Sequence, residues 1–430
     1  MGFFHNFLSL AKWNALNILV VFAQRIVLAR LLGPAALGAF GIALNASTIL
    51  SRWLSFGVGP STQYFASKSV LRERNVLGTS LALTLVVAVL GSSIAYVASP
   101  FLKSTVFAQQ PDGWQIFWRF LPYLPAMQFA MVTAVFVLGR NLTAQYAVIQ
   151  FVPNLLFLIV LLYAALFHGA LQHAIAGQQV LWASAAVIGI VYAYAQESRA
   201  RPDLAVGKDM VQYAMASWPV VFLRFGTARI SVVLGALYVG AHDLGQYVVA
   251  VGLAEALLIG QGALSQLLLN RVSDAGSKAD DLFLRLMRLL TGGLLVAWLV
   301  TALVGKPFFL LAYGPAFAPA WSLFTLLMGM SITRGLFQIQ LSYLAGRGRP
   351  ALGSLAQSTE FIVLLVLIPP IAATLGVTGL AIVTIIASMA GLIVATIIVQ
   401  RQTGVRLADM FLPRSEDVLM LRDRFRKSVK

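Results

Sequence analysis

The chain contains no cysteine. Disulfides, thiolate metal centres and cysteine nucleophiles are therefore excluded. Histidine is nearly as scarce: His5, His168, His173 and His242 lie near the ends of apolar runs, at no metal-ligand spacing. The 430 residues hold only 15 Asp and Glu against 31 Lys and Arg, and the few acids form no nucleophile–base arrangement. Gly-rich phosphate loops are missing. So is the alternation of apolar and polar residues that marks strands and barrels. No catalytic residues and no metal site are expected, and an enzyme is disfavoured.

What remains is hydrocarbon. The chain is 59% hydrophobic and 11% charged, with a mean hydropathy of +0.84. A soluble fold of this length could not cover so much apolar surface. The apolar runs are about 20 residues long, the length at which a helix crosses a bilayer. The expected fold is an all-α membrane protein with twelve transmembrane helices, near 11–31, 38–59, 77–98, 114–138, 146–167, 178–196, 212–239, 246–269, 283–305, 321–343, 351–373 and 379–400. Turn signals punctuate them, including GPAALG at 33–38, GAHDLG at 240–245 and TLGVTG at 374–379. The opening MGFFHNFLSLAKW reads as an amphipathic lead-in to the first span, and Asn6 breaks the myristoylation pattern.

The net charge of +16 follows the positive-inside rule. Of the 31 basic residues, 22 fall on the side that holds both termini, so both termini are expected in the cytoplasm. The basic stretch 403–430 reads as a cytoplasmic tail that touches anionic headgroups. Nucleic acid is not an expected partner, because no aromatic interleaving accompanies the charge.

The two halves repeat. Adding 207 to a position matches Gly33 with Gly240, Leu37 with Leu244, Gly38 with Gly245, and Pro100 with Pro307. The same offset matches Trp114 with Trp321, Gly139 with Gly346, Arg140 with Arg347, and Gly169 with Gly376. Phe40 and Tyr247 share it as an aromatic pair. One register over so long a stretch indicates duplication. Six spans per half is an even number, so the halves enter from the same side as parallel repeats about an axis along the membrane normal. The expected organisation is a six-helix lobe over 1–205, a second over 206–402, and the tail over 403–430.

Charges fall inside the spans: Arg25, Arg52, Arg224, Arg229 and Arg334, with Glu255 and Glu360. An arginine at mid-membrane costs about 2.5–3.5 kcal/mol on insertion scales, so five cost roughly 12–17 kcal/mol. Two carboxylates cannot neutralise five guanidiniums. Pairing to Glu255 and Glu360 is the competing expectation for any single arginine. The excess points to a hydrated chamber that receives an anion, and the planar guanidinium suits a diphosphate. Arg25 and Arg30 stand about 140° apart on a helix. Arg25 is expected to face the chamber, and Arg30 to snorkel to headgroups.

The stretch ARLLGPAALGAFGIALNASTILSRWLSFGVGPSTQYFASK resembles the opening of bacterial polysaccharide-biosynthesis flippases, the O-antigen and exopolysaccharide repeat-unit translocases of the multidrug/oligosaccharidyl-lipid/polysaccharide exporter superfamily. GAHDLGQYVVAVGLAEALL, YGPAFAPAWSLFTLL, LAGRGRPAL and LGVTGLAIVTIIAS resemble later parts of the same family, in the same order. The resemblance implies a transporter of the bacterial inner membrane. It would move undecaprenyl-diphosphate-linked oligosaccharide from the cytoplasmic to the periplasmic leaflet through an arginine-rich central cavity. It implies no bound cofactor other than a coupling cation, H+ or Na+, with Glu255 and Glu360 as the acidic candidates. Thr227-Ala228-Arg229 stands where family members often carry an acid. A monomer working beside a polysaccharide polymerase and co-polymerase is expected.

Three other readings stay open. A multidrug exporter of the superfamily would carry organic cations, which an arginine-rich cavity repels. A lipid II flippase is chemically close but tends to have more than twelve spans. A polymerase or ligase acting on lipid-linked sugars tends to carry a large outer loop, and the outer loops here are short.

Overall fold

The computed structural model describes residues 2–67, 75–167, 169–197, 201–256, 258, 278–347, 349–405 and 407–412. The basic loop residues Lys68, Arg72, Arg74, Arg199 and Arg271 lie outside these residues, as do Arg406 and the stretch 413–430 of the expected tail.

Among the described residues every regular element is helical. In the first part of the chain these are α1 Gly2–Trp53, α2 Val58–Ser67, α3 Val76–Ser104, α4 Pro111–Phe120, α5 Leu124–Gly139, α6 Thr143–Leu166, α7 Ala170–Gln196 and α8 Leu204–Gly235. There follow α9 Ala241–Ala256, α10 Lys278–Tyr313, α11 Ala318–Gly346, α12 Pro350–Thr403 and α13 Leu407–Phe411. Single 3-10 turns join α4 to α5 and α10 to α11. Nine helical stretches among the described residues are long and apolar enough to cross a membrane.

Two of those nine are too long for one crossing. α12 has 54 residues, about 80 Å at 1.5 Å per residue, against a hydrocarbon core of about 30 Å. It breaks at Gly376 (φ 57°, ψ −136°), and α1 breaks at Gly33 (φ 67°, ψ 176°). Both glycines take the left-handed φ that a side chain disfavours. The sequence suggests six-residue turns at these places. The chain uses one residue instead, and in α1 Pro34 is already shaped for the first turn of the helix that follows.

Other boundaries differ for similar local reasons. α1 ends at Trp53, not near 59, and a turn through Phe56 (φ 45°) and Gly57 (φ 78°) starts the short helix α2. A β-carbon at Gly57 would collide with the Ala214 carbonyl of α8, so the turn exists where the two backbones touch. The Ser61 hydroxyl donates to the Met210 carbonyl at 2.7 Å in the same place. α8 begins at Leu204, eight residues before the hydropathy rise, because Asp203 caps it by accepting from the Ala205 and Val206 N–H groups at 2.9 and 3.2 Å.

The chain packs as two units, Met1–Gly245 and Gln246–Lys430. In the first, Phe65, Val76, Leu77, Phe136, Val137, Ile149 and Met210 bring α2, α3, α5, α6 and α8 around one core. In the second, Phe283, Met287, Ile339, Tyr343, Val399 and Met410 gather α10, α11, α12 and α13. In α3 the Ser80 and Thr84 hydroxyls bond back to their own helix, to Val76 O (2.8 Å) and Ser80 O (2.7 Å), and so need no outside partner.

Offset-related residues adopt matching local geometry in the two units. Gly169 and Gly376 both have positive φ. Arg140 and Arg347 cap their helices at φ/ψ of −77°/4° and −79°/5°. Each guanidinium lies over the ring one helical turn before it: Phe136 at 5.4 Å and Tyr343 at 5.5 Å. Trp114 meets Phe117 at 5.8 Å, and Trp321 meets Phe324 at 5.7 Å. Both capping arginines are ion-paired, Arg140 to Glu197 at 3.2 Å and Arg347 to Asp280.

Glu197 also accepts the Leu77 N–H at 3.1 Å, fastening the start of α3 to the end of α7. Burial pushes its carboxyl above the usual carboxylate value, although Leu77 and Arg140 pull the other way. A raised carboxyl pKa makes the folded state hold its proton longer than the unfolded one. The Glu197 contribution to stability is thus fully present below the ordinary carboxylate value and is lost as pH rises from there through the raised value of the folded state. Melting temperatures measured from pH 4 to pH 7 should show a flatter dependence for Glu197→Gln than for the parent; identical slopes would refute this origin.

Candidate functional site

The last turn of α1 places Arg52 and Trp53 against α8, which offers Trp218, Phe222 and Phe225 at i, i+4 and i+7 on one face. The Trp53 indole N–H donates to the Phe222 carbonyl at 3.0 Å, and the rings stack at 4.2 Å. The Trp218 indole N–H donates to the Trp53 carbonyl at 2.8 Å. Trp53 ends its helix, so that carbonyl has no partner within α1; it accepts from Trp218 and, more weakly, from the Phe56 N–H of the following turn at 3.4 Å. Both tryptophans thus bury their apolar body and keep their polar handle satisfied.

This aromatic wall holds Arg52. Its guanidinium lies 4.8 Å from the centre of the Phe225 ring, an arrangement worth about 0.5–2 kcal/mol that leaves the charge in place. Tyr146 and Arg224 both lie close enough to act on Arg52 electrostatically. Arg224, next to Phe225 on α8, is exposed, whereas Arg52 is half-buried. Two guanidiniums within reach of one another form a fork-bearing surface suited to an oxyanion with several oxygens, such as a diphosphate.

The remaining arginines of the first unit lie elsewhere on α1 and α8. Arg229 is half-buried on α8, about 140° round from Arg224. Arg25 is half-buried on α1 and Arg30 exposed. Beside Arg25, buried Gln24 donates to the Asn154 carbonyl at 2.5 Å, and the Asn154 amide donates to Asn17 at 3.0 Å, so α1 and α6 share a polar strip.

Arg334 has a different setting. In the second unit its Nε donates to Glu360 Oε1 at 2.8 Å, with side chains only 13% and 3% exposed. Glu255 of α9, half-buried, and Tyr247 also lie within electrostatic reach of Arg334. Around them the Tyr247 hydroxyl meets Thr384 at 3.0 Å, and Thr333 meets Ser388 at 2.5 Å. The carboxylate pairing that competes with the chamber reading is realised directly at Arg334. Sequence reasoning grouped Arg334 with the other four because spacing alone does not say which helix faces Glu360.

The aromatic holder of Arg52 was the part missed. Its signal was present, since Trp218, Phe222 and Phe225 repeat at helical spacing, but Trp53 lies far away in sequence and only packing joins the two.

A family model described as polysaccharide biosynthesis protein matches residues 3–266, well over half of the chain. The chain belongs to the polysaccharide biosynthesis protein family. No curated protein matches this family member's sequence. Solved structures resemble it in fold. One is "Lipid II flippase MurJ, inward closed conformation", at TM-score 0.75 and 10% identity, covering 91% of this chain and 87% of that one. An inward-facing multidrug resistance MATE family transporter of the MOP superfamily superposes at TM-score 0.74 and 14% identity, covering 90% and 96%. The eukaryotic MATE transporter AtDTX14 follows at TM-score 0.65 and 15% identity, covering 93% and 96%. The polysaccharide biosynthesis protein is a multi-pass membrane protein with the fold of MOP-superfamily transporters.

Breaking a buried ion pair strands a charge. Glu360→Gln should therefore destabilise the protein by about 3–5 kcal/mol, while Arg334→Met combined with Glu360→Leu should recover most of the loss. Thermal melting in detergent, followed by size-exclusion chromatography, distinguishes the two. Equal losses in the single and double variants would mean that the pair matters beyond its mutual neutralisation.

Proposed function

We propose that this polysaccharide biosynthesis protein is a flippase that moves undecaprenyl-diphosphate-linked oligosaccharide repeat units from the cytoplasmic to the periplasmic leaflet of the bacterial inner membrane. Its transmembrane region comprises twelve spans: the nine long apolar stretches, of which α1 and α12 each contribute two across their glycine breaks, and one more that includes α9. The spans form two six-helix lobes that are parallel repeats, both termini are cytoplasmic, and the substrate path runs between the lobes. The observation that carries the reading is Arg52 over the Phe225 ring, with Arg224 within electrostatic reach and no carboxylate paired to Arg52 among the described residues.

The diphosphate enters a hydrated cleft and exchanges water for guanidinium donors, while the polyprenyl tail stays in lipid. Arg52 and Arg224 make the primary contact, and Arg25 and Arg229 extend the positive field. A few charge-assisted hydrogen bonds bind the headgroup without trapping it. Rocking of the lobes then exposes the cleft to the other side. Arg334 acts through its bond to Glu360, as a positioning residue of the second lobe. A coupling cation, H+ or Na+, is exchanged at the carboxylates of Glu255 and Glu360, of which one faces Arg334 directly. The working unit is a monomer that hands its cargo to a polymerase and co-polymerase. Organic cations, the alternative cargo within the superfamily, are repelled by the same guanidiniums.

Reconstitution into vesicles with a labelled lipid-diphosphate-linked oligosaccharide tests the reading. A charge-assisted bond is worth about 1.5–3 kcal/mol, so Arg52→Ala and Arg224→Ala should each slow leaflet transfer by roughly ten- to a hundredfold. Arg30→Ala should change it little. Transfer at parental rate in Arg25→Ala, Arg52→Ala, Arg224→Ala and Arg229→Ala alike would remove the cationic-cleft mechanism.

A further inference from the structure

In α3 one narrow stripe is buried: Thr84, Ala88, Gly91, Ala95 and Ser99. These residues are small, so the helix lies flat on its neighbours. A β-carbon at Gly91 would stand 2.9 Å from Leu54 Cβ. The 207-residue offset carries the stripe to Thr291, Leu295, Trp298, Ala302 and Lys306 of α10. Leucine, tryptophan and lysine now stand where alanine, glycine and serine stood, and none of these positions is buried. From Leu295 to Val300 every residue is exposed. Such a run covers roughly one and a half turns, so at this level no face of α10 is closed off.

The tryptophan that holds α10 away also shapes the space beneath it. α10 and α11 touch at two levels. The Trp298 indole N–H donates to the Thr325 carbonyl at 3.0 Å. Further along, the Trp321 ring lies against Gly305, where a β-carbon would stand 2.6 Å from Cη2. Ala302 lies between those levels and opens onto a groove of about 580 Å³, lined also by Trp298, Trp321, Thr325, Leu326 and, from α12, Thr378. That volume falls within the roughly 300–1,000 Å³ of small-molecule sites. All of these residues belong to the second unit. The donors that α10 and α11 bring to the wall are already spent, since the Thr325 hydroxyl donates to the Ser322 carbonyl at 2.9 Å and the Ser322 hydroxyl to the Pro319 carbonyl at 2.8 Å. This wall suits hydrocarbon and offers little to a sugar.

Lys306 is exposed and stands one helical turn past Ala302 on the same face. α11 carries no acid, and the nearest one along α10 is Asp281, roughly 37 Å away. The eight residues from Lys306 to Trp298 span about 12 Å, inside the ~15 Å of hydrocarbon in one leaflet. A single acyl chain matches that depth, whereas an undecaprenyl chain exceeds it several-fold. We propose that the groove is a phospholipid site: one acyl chain lies between α10 and α11, and the phosphate of an anionic headgroup sits at Lys306. Lipid thus fills, in the second unit, the space that Gly91 and Ala95 close in the first. The assignment is independent of the flippase reading and holds whatever the cargo is.

Native mass spectrometry of the full chain in detergent tests the site, with phosphatidylglycerol and phosphatidylcholine of the same acyl chains as probes. The parent should retain one phosphatidylglycerol more tightly than phosphatidylcholine. Lys306→Gln should weaken retention of that molecule about fivefold and leave phosphatidylcholine unchanged, as expected for one lysine at the membrane surface. Ala302→Trp fills the groove and should abolish retention of both lipids there. Val300→Trp, on the opposite face of α10, should match the parent. Equal retention by the parent and Ala302→Trp would overturn the groove as the site. Equal lipid preference in the parent and Lys306→Gln would overturn the headgroup assignment. Where Ala302→Trp fails to accumulate, Lys306→Gln decides alone, since its side chain is exposed. Displacement of the retained phosphatidylglycerol by a lower concentration of undecaprenyl phosphate would assign the groove to a polyprenyl chain and overturn the phospholipid reading.

Discussion

A guanidinium cannot shed its charge, and hydrocarbon cannot solvate one. That single incompatibility organises the interior of this protein. Each deep arginine must be given a carboxylate, an aromatic face or water, and the choice differs from site to site. Arg334 is given Glu360, and the pair is nearly sealed from solvent. Arg52 is given the ring of Phe225 and stays half-buried, with no carboxylate paired to it among the described residues. The first solution is structural. The second is the one on which the proposed anion contact rests, and it is the reason the functional reading centres on the first unit's α1 and α8 and not on every arginine in the spans.

The same logic governs the neutral polar groups. Indole N–H groups at Trp53 and Trp218 find carbonyls on the opposite helix, and hydroxyls such as those of Ser80 and Thr84 turn back on their own helix. Carbonyls at helix ends are the scarce acceptors in lipid, so packing concentrates where a helix terminates. This is why the end of α1, the turn at Gly57 and the middle of α8 form one locus. Both sides supply donors and acceptors: α8 gives the Trp218 indole N–H and accepts at the Phe222 and Met210 carbonyls.

Much of this was legible from the sequence. Uninterrupted apolar runs fix helices and exclude strands, and scarce acids forecast the charge imbalance. At some positions related by the offset of 207 the local geometry agrees, as at Gly169 with Gly376 and Arg140 with Arg347, while Gly33 takes a positive φ that Gly240 does not. Boundaries were less legible where one residue decides them. Asp203 starts α8 through a cap that hydropathy does not register, and Gly33 bends a helix with a single torsion where the composition of 33–38 suggests a loop. Pairings between distant segments were not legible at all. Nothing local to Arg334 names Glu360, and nothing local to Trp53 names Phe222; both depend on which helix faces are turned toward each other, a property of the packed whole.

The short helix α13 carries a consequence for how the end of the domain is drawn. Met410 lies fully buried among Phe283, Tyr343 and Val399, and the carbonyl of Asp409 accepts from buried Arg288 at 3.0 Å. Hydropathy would place the finish of the folded body at Thr403, where the last lipid-facing helix stops. The packing carries it at least as far as Phe411. A tag or a stop codon introduced between those points would leave an apolar socket open and remove one acceptor of Arg288, so a fusion joined after residue 403 does not report on an intact protein.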